Sequence, residues 1–547
     1  MMPRMSDLMT GAQAMAMAFV DTQVRCAAAY PGSPATALAQ ALEGRTDCRF
    51  RWSTNENTAI SHAFGQAMAG RGAVAVMKHV GINVARDAIE VMGVVHTLPA
   101  PFVVVEGADA KPGSSQSAQD NRPVWAGSPN AFVLAPSTVD ECYALTRAAC
   151  IISQHFGMMT VLRGEARMFE SSGEAPQAVP LTFDPRYSTW PGRGYALATS
   201  PRTYAHHLET RRRVLAELSP YVEGLVEAFS GEREDVAVIV AGHLGAQSAE
   251  IVRKAGLAGI RLLTEHPLPE QAITSLCARF PRVAVLEECL PFLEDRVRAL
   301  VQRAGVTCEV VGRAALGDVR AIGRIDAEAV AVMLRELGGG KDRPQAPVEG
   351  PRLAPNPNDW SSAQRYADDM AEFEASTPLS SFPASDPRRA MFECLRNLGG
   401  ERATYVVTDP GITGLLALGG AQSDGKMHMG GAVPMAAGWS RARWADNGLG
   451  IAVVGDTNLP HSEWLGILES AAAGDDLMIV VADNGHSQAT QNIVTLRPSP
   501  EQAQESLAAL GVHVQAVRAT GQRGDAWEDA LVAAAGRRGV RLVWVRL

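Results

Sequence analysis

Gly455-Asp456-Thr457 and, 28 positions after that aspartate, Asn484 in Ala482-Asp483-Asn484-Gly485-His486 each follow an apolar run. The runs, Ile451-Ala452-Val453-Val454 and Met478-Ile479-Val480-Val481, read as buried parallel strands, and residues 462–473 between them have the length and periodicity of a crossover helix. Both polar clusters then fall at carboxyl ends of strands, on one edge of a sheet. Mg²⁺ is a hard ion that prefers octahedral oxygen ligands and takes only a few of them from protein. Asp456, the Asn484 amide oxygen and the main-chain carbonyl of His486 make such a partial set, which a diphosphate would complete. The plainer alternative is a pair of ordinary strand-end turns in a nucleotide-binding fold.

At 547 residues the chain is too long for one core. Domains of roughly 100 to 200 residues lead us to expect three or four. Apolar content of 46% with 20% charged residues is that of a globular protein. A net charge of −9 disfavours nucleic acid or an anionic membrane as partner. Arg211-Arg212-Arg213, the one dense basic cluster, reads as a solvated helix face. No run approaches the ~18 apolar residues of a spanning helix. The Ala/Met-rich start carries Asp7 and no cleavage pattern before Asp21, so an amphipathic first helix is expected rather than a signal sequence. Cysteines at 26, 48, 142, 150, 277, 289, 308 and 394 form no Cys-x-x-Cys pair. They fit reduced, buried thiols in a cytoplasmic protein.

Along the chain, helix and strand patterns alternate. Residues 6–20 read as a helix, 26–30 as a strand and Ser33-Pro34 as the opening of the next helix. Strands at 74–77, 102–106, 131–135 and 159–162 complete a doubly wound parallel sheet. Residues 171–203 are rich in Pro, Gly and Ser and mark a linker, followed by a polar helix over about 204–229. A smaller α/β unit has strands at 236–241, 260–263, 283–287 and 308–312. Residues 338–357 form a Gly/Pro-dense linker. Strands at 403–408, 450–454, 478–482 and 540–546 make a third sheet. The expected division is a first domain over 1–170, a linker and helix over 171–234, a middle domain over 235–337, a linker over 338–385 and a last domain over 386–547.

Trp52-Ser53-Thr54-Asn55-Glu56-Asn57-Thr58-Ala59 and Met77-Lys78-His79-Val80-Gly81-Ile82-Asn83-Val84-Ala85 closely resemble the amino-terminal domain of the large subunit of indolepyruvate:ferredoxin oxidoreductase. Tyr30-Pro31-Gly32-Ser33-Pro34 is similar to that family's Tyr-Pro-Gly-Thr-Pro turn, with Ser33 for threonine. Residues 285–294 (Val-Leu-Glu-Glu-Cys-Leu-Pro-Phe-Leu-Glu) resemble its middle domain, and His428-Met429-Gly430-Gly431 with the run from Asp456 to His461 resembles its last. The resemblance covers nearly the whole chain outside the linkers. It implies α/β architecture with three doubly wound parallel-sheet domains. These would be a pyrimidine-binding and a diphosphate-binding thiamin domain flanking a transketolase C-terminal-like domain, with thiamin diphosphate and Mg²⁺ as cofactors.

The resemblance also implies roles. Glu56 is the candidate carboxyl group against the aminopyrimidine ring, with burial raising its pKa; otherwise it caps the helix expected over 58–70. His79 and Asn83 are candidates for the pocket over the reacting carbon, His79 as proton shuttle or donor to a substrate carboxylate. Arg122, in Gln119-Asp120-Asn121-Arg122, is a candidate carboxylate partner or else a buried structural arginine. Asp409-Pro410-Gly411 and Met429-Gly430-Gly431 would approach the cofactor, with Gly455 and Thr457 flanking the metal ligand. His428, where the family often has cysteine, and His461 are substrate-side candidates. Thr490 fits a family threonine, yet residues 486–490 depart from the family's pattern, as does Gly113, where it often has histidine. Both departures bear on substrate identity.

The implied function is a 2-oxoacid oxidoreductase subunit, decarboxylating indolepyruvate or a related 2-oxoacid, with CoA as a candidate co-substrate. The cluster-binding cysteines of the family's ferredoxin module do not occur in this sequence, so two electrons are expected to pass to a partner. A homodimer is expected, joined by a small second subunit in the oxidative reading. The alternatives are a non-oxidative decarboxylase or carboligase, and a non-enzymatic assembly subunit, which the joint presence of Glu56, Asp456 and Asn484 disfavours.

Overall fold

The computed structural model describes residues 8–95, 98–109, 119–128, 131–176, 196–197, 201–242, 245–313, 327–337, 386–398, 402–409, 423–426, 428–486, 497–519 and 526–547. Three sheets organise them. The first runs in the order Thr264–His266, Val133–Leu134, Met159–Glu165, Phe102–Ala108, Gly72–Lys78, Val24–Ala29, Arg49–Trp52 and is parallel except for its first strand. The second has five strands, Val226–Phe229, Ala258–Leu262, Val236–Ala241, Arg282–Leu286 and Glu309–Val311, again parallel but for the first. The third is wholly parallel, in the order His513–Arg518, Val540–Arg546, Leu477–Asp483, Leu449–Gly455, Thr404–Thr408, Gly425–Lys426, Ala196–Leu197. Central strands such as Leu477–Asp483 are buried throughout, because crossover helices cover both faces of such sheets.

Chain order reverses within the first and third sheets, between Val24–Ala29 and Gly72–Lys78 and between Thr404–Thr408 and Leu449–Gly455. Doubly wound sheets bind ligands in the crevice outside these switch points, where neighbouring loops part to opposite faces. Two helices carry the return crossings: α1 (Glu56–Met68) and α2 (Ala432–Ala442). All of α1 but Asn57, and all of α2 but Arg441, is buried, as expected of helices covered on every side. Glycines let them touch. A methyl group on Gly65 would collide with the Met435 carbonyl, and one on Gly438 with the His62 carbonyl. Through this contact one apolar cluster, including Phe64, Met77, Phe102, Trp439, Val454 and Trp544, is continuous across the first and third sheets, whereas the middle sheet has two clusters of its own.

Several boundaries differ from the sequence reading. The first helix begins at Gly11, because Thr10 and Gln13 close a capping box. Ser33-Pro34 is a turn ahead of the helix Thr36–Glu43; Gly32 N–H donates to Thr36 Oγ1 at 3.0 Å. The helix expected to reach residue 229 spans Pro201–Glu223, and Val226–Phe229 pairs as an edge strand after Gly224. Ala196–Leu197, placed in a linker, extends the third sheet, and Thr264–His266 extends the first. The linker residues 338–385 lie outside the described ones. All eight cysteines are free, six of them buried, and no described helix is long and apolar enough to cross a membrane.

The glycine contact makes a direct prediction. Gly438→Val forces a side chain into a helix backbone, so thermal unfolding should begin earlier by the equivalent of about 1–3 kcal/mol; an unchanged midpoint would show that the two helices can separate freely.

Candidate active site

Asp456 and Asn484 leave the third sheet side by side. Gly455 pairs with Ala482, and the Asp456 N–H donates to the Ala482 carbonyl at 3.2 Å. Asp456 is buried and Asn484 and His486 are half-buried. Asp483 lies against Asp456, and the Arg497 guanidinium bridges both carboxylates. Burial pushes the Asp456 carboxyl up to about 6, with Arg497 opposing and Asp483 reinforcing. Burial alone would raise Asp483 too, but the Trp544 indole N–H at 2.8 Å and Arg497 hold it below the ordinary range. A cavity of about 630 Å³ opens beside Asn484 and Gly485, with Arg497, Arg518 and Arg546 on its walls.

This edge fits a hard cation and an anion. Asp456, the Asn484 amide and the His486 carbonyl offer oxygen only, and the guanidinium already marks the spot as one where positive charge is needed. Among the described residues no group of three or more His, Cys, Asp or Glu could hold a metal ion, so any metal here depends on amide and carbonyl oxygens and on its ligand.

Asp409 follows the neighbouring strand Thr404–Thr408 at the switch point, and its carboxylate turns inward. It accepts from the N–H of Gly430 (3.3 Å) and Ala432 (3.1 Å). Glu463, in a π-helical turn (Leu459–Glu463) ahead of α3 (Trp464–Ala472), accepts from Ala432 and Val433 at 2.9 and 3.0 Å. The two carboxyls, both fully buried, also hydrogen-bond to each other. Burial pushes Asp409 up to about 6 and Glu463 well above the usual carboxyl range, the latter further raised by Asp409. Two buried carboxyls in hydrogen-bond contact favour one proton held between them, and the pair holds the Gly430 turn, where φ is +88°, against the first turn of α2. Met429 sits in that turn.

The first sheet presents its own switch point to this edge. Glu56 begins α1 behind the N-cap Asn55, whose side chain accepts from Thr58 N–H at 2.8 Å. Burial raises Glu56, and Lys78 partly offsets it. A side chain at Gly81 would collide with the Glu56 carboxyl, so that glycine makes its seat. His79 is buried at the head of the short helix His79–Val84, its Nδ1 3.4 Å from the Gly107 carbonyl, and Asn83 is exposed and donates to Gln119 at 2.7 Å.

Contacts across the domains join the halves within one chain. Asn57 Nδ2 lies 3.5 Å from the Gly430 carbonyl, and Ser61 Oγ 3.3 Å from His428 Nε2. His428 packs on Gly431, and burial pushes it down to about 3, so the ring is neutral. Burial raises Asp87, opposed by Lys426 and His461, which brings the first domain's Asp87 to the last domain's exposed His461.

Arg122 goes elsewhere. Its guanidinium donates to Asp120 (2.7 and 2.9 Å), Glu287 (2.6 Å) and the carbonyls of Glu288 and Leu290 (2.7 and 2.8 Å), and stacks on Phe292. Its carboxylate partners are internal, and it joins the first and middle domains. Ser33 is exposed in its turn. Gly411, Gly113, residues 114–116 and Thr490 lie outside the described residues. Sequence reasoning missed Gly81, Glu463, Asp483, Lys426 and Arg497; only Asp483, adjacent to Asn484, had a local signal.

The shared proton predicts an asymmetry. Asp409 binds its proton more tightly folded than unfolded, so this contribution to stability is present at low pH and lost as pH rises from about 4 through about 6. Asp409→Asn, which keeps the shape but has no carboxyl to titrate, should flatten that dependence in melting curves between pH 4 and 8, whereas Glu463→Gln, which leaves Asp409 buried beside a neutral donor, should retain the Asp409 part of it. Asp409→Ala, which strands the Gly430 N–H while Ala432 keeps Glu463 as its acceptor, should cost about 1–3 kcal/mol at pH 4.

No protein-family model matches the chain. It is 30% identical over 304 residues to the indolepyruvate oxidoreductase subunit IorA of Archaeoglobus fulgidus, a match spanning 53% of this chain and 48% of that one. To the subunit of the same name from Pyrococcus abyssi it is 27% identical over 511 residues, 87% of this chain and 74% of that one. The fold matches a thiamine diphosphate-dependent 4-hydroxybenzoylformate decarboxylase of Rhodococcus jostii RHA1 over 98% of this chain and 99% of that one, with a TM-score of 0.50 at 12% identity. The chain is thus a relative of the IorA subunits of indolepyruvate oxidoreductases.

Proposed function

We propose that the chain is the thiamin diphosphate- and Mg²⁺-dependent subunit of an oxidoreductase that decarboxylates indolepyruvate or a related 2-oxoacid and passes two electrons to a partner. The observation that carries this reading is the meeting of two switch points in one chain. One presents Asp456, Asn484 and His486, and the other a buried Glu56 whose seat is kept open by Gly81. The named relatives support it independently.

When bound, the cofactor would supply an electron sink at its thiazolium carbon. The chain's residues would do the rest. Asp456, the Asn484 amide oxygen and the His486 carbonyl would hold Mg²⁺, with Arg497 giving up Asp456 as the metal arrives. Glu56, whose pKa burial raises, would share a proton between its carboxyl and the aminopyrimidine ring. His79, Asn83, His428 and His461 would line the substrate side, His428 as a neutral ring. A homodimer, a small second subunit and CoA belong to the same proposal.

The test is anaerobic incubation with thiamin diphosphate, Mg²⁺ and a panel of 2-oxoacids, alone and with the candidate second subunit, following CO₂ and reduction of a one-electron dye with and without CoA. CO₂ and dye reduction that both depend on CoA are expected. CO₂ with aldehyde or a coupled product and no dye reduction would favour a non-oxidative lyase instead. Asp456→Ala should abolish Mg²⁺-dependent cofactor binding. Glu56→Gln should bind the cofactor yet lose about 10²–10⁴-fold in turnover.

A further inference from the structure

Where the last domain meets the segment leading into Glu56, one carboxylate gathers most of the contacts. Glu469, on α3, is 5% exposed. Its Oε2 accepts from Thr54 N–H at 3.1 Å and Thr54 Oγ1 at 3.3 Å, and its Oε1 from Ser53 Oγ at 3.3 Å and Arg51 Nη1 at 3.2 Å. Every one of these donors lies between two and five residues before Glu56, on the strand Arg49–Trp52 or the turn that follows it. Asn55, the next residue, caps α1.

We propose that Glu469 is a positioning residue for Glu56: a carboxylate of the diphosphate-side domain that fixes the turn from which the pyrimidine-side glutamate projects. The inference rests on the reading of Glu56 as the group that meets the cofactor. Its physical basis is the direction of the contacts. An isolated interdomain ion pair needs only Arg51, and Arg51 already has a bidentate partner in Asp475, at 2.8 and 2.9 Å, which Arg441 also reaches at 2.8 Å. Glu469 instead uses both oxygens on the turn itself, including a backbone N–H, which a carboxylate binds more strongly than a neutral acceptor does. Burial raises the Glu469 carboxyl above its ordinary range, opposed in part by Arg51, the Thr54 N–H and the two hydroxyls. α3 follows the Asp456 loop along the chain, so the same short stretch that carries the metal ligand also sets the Glu56 turn.

The structure offers its own control. Asp475→Asn breaks the Arg51 anchor without touching Ser53 or Thr54, whereas Glu469→Ala removes the acceptor of the turn, and Glu469→Gln keeps its shape and one acceptor oxygen. Amide hydrogen exchange across residues 53–58 of the cofactor-free protein should rise at least tenfold in Glu469→Ala, recover largely in Glu469→Gln, and stay within twofold of wild type in Asp475→Asn. Titration with thiamin diphosphate and Mg²⁺, followed by tryptophan fluorescence, should show affinity in Glu469→Ala within about threefold of wild type, while kcat falls tenfold or more. Exchange that is unchanged in Glu469→Ala, or raised equally in Asp475→Asn, would overturn the proposal and leave a plain domain contact. Failure of the wild-type protein to bind the cofactor, with the exchange pattern as expected, would instead overturn the cofactor assignment and leave the clamp standing.

Discussion

The contact between α1 and α2 is the constraint on which the rest depends. Both helices are crossovers at the same step of their respective sheets, and both begin at the switch-point edge. Pressing them together backbone to backbone, which glycine at 65 and 438 allows, fuses two sheets around one core and brings the Asn57 and Gly430 ends of their crossings together. Apolar burial is non-directional and would tolerate many relative orientations of two such sheets. Close helix contact admits few of them, since a side chain at either glycine strikes a carbonyl.

Charged groups buried at the domain boundaries narrow the choice further. Arg51 meets Glu469 and Asp475, Arg122 meets Asp120 and Glu287, and Arg163 meets Glu265 at 3.0 Å. Taking such ions out of water costs several kcal/mol each unless the geometry satisfies them. Each pair therefore contributes less to net stability than to the exclusion of other arrangements. The cluster at Asp456 and Asp483 differs in kind. Its balancing cation, Arg497, is a quarter exposed and sits on a separate segment from either strand.

Much of this was legible in advance. Long, fully apolar strands such as 478–482 announced themselves, because burial on both faces leaves no polar alternation to misread. Short edge strands did not. Gly425–Lys426 and Ala196–Leu197 are two residues each, and only pairing with a neighbour gives them identity. Val226–Phe229 was absorbed into the helix before it, since local pattern alone does not show where a chain turns to meet a sheet edge.

The site divides along the same line. The sequence by itself placed Asp456 and Asn484 after apolar strands, and its resemblance to a known family singled out Glu56 and His79. Strand periodicity and hard-ion ligand preference are local properties, written in adjacent residues. Only the tertiary structure decided what surrounds them: that Gly81 seats Glu56, that Asp409 turns inward to share a proton with Glu463, that Arg122 bridges domains, and that Glu469 grips the turn before Glu56 from 415 residues away. Such partners are chosen by burial and by the matching of charges brought together from distant parts of the chain, and no window along the sequence contains both members.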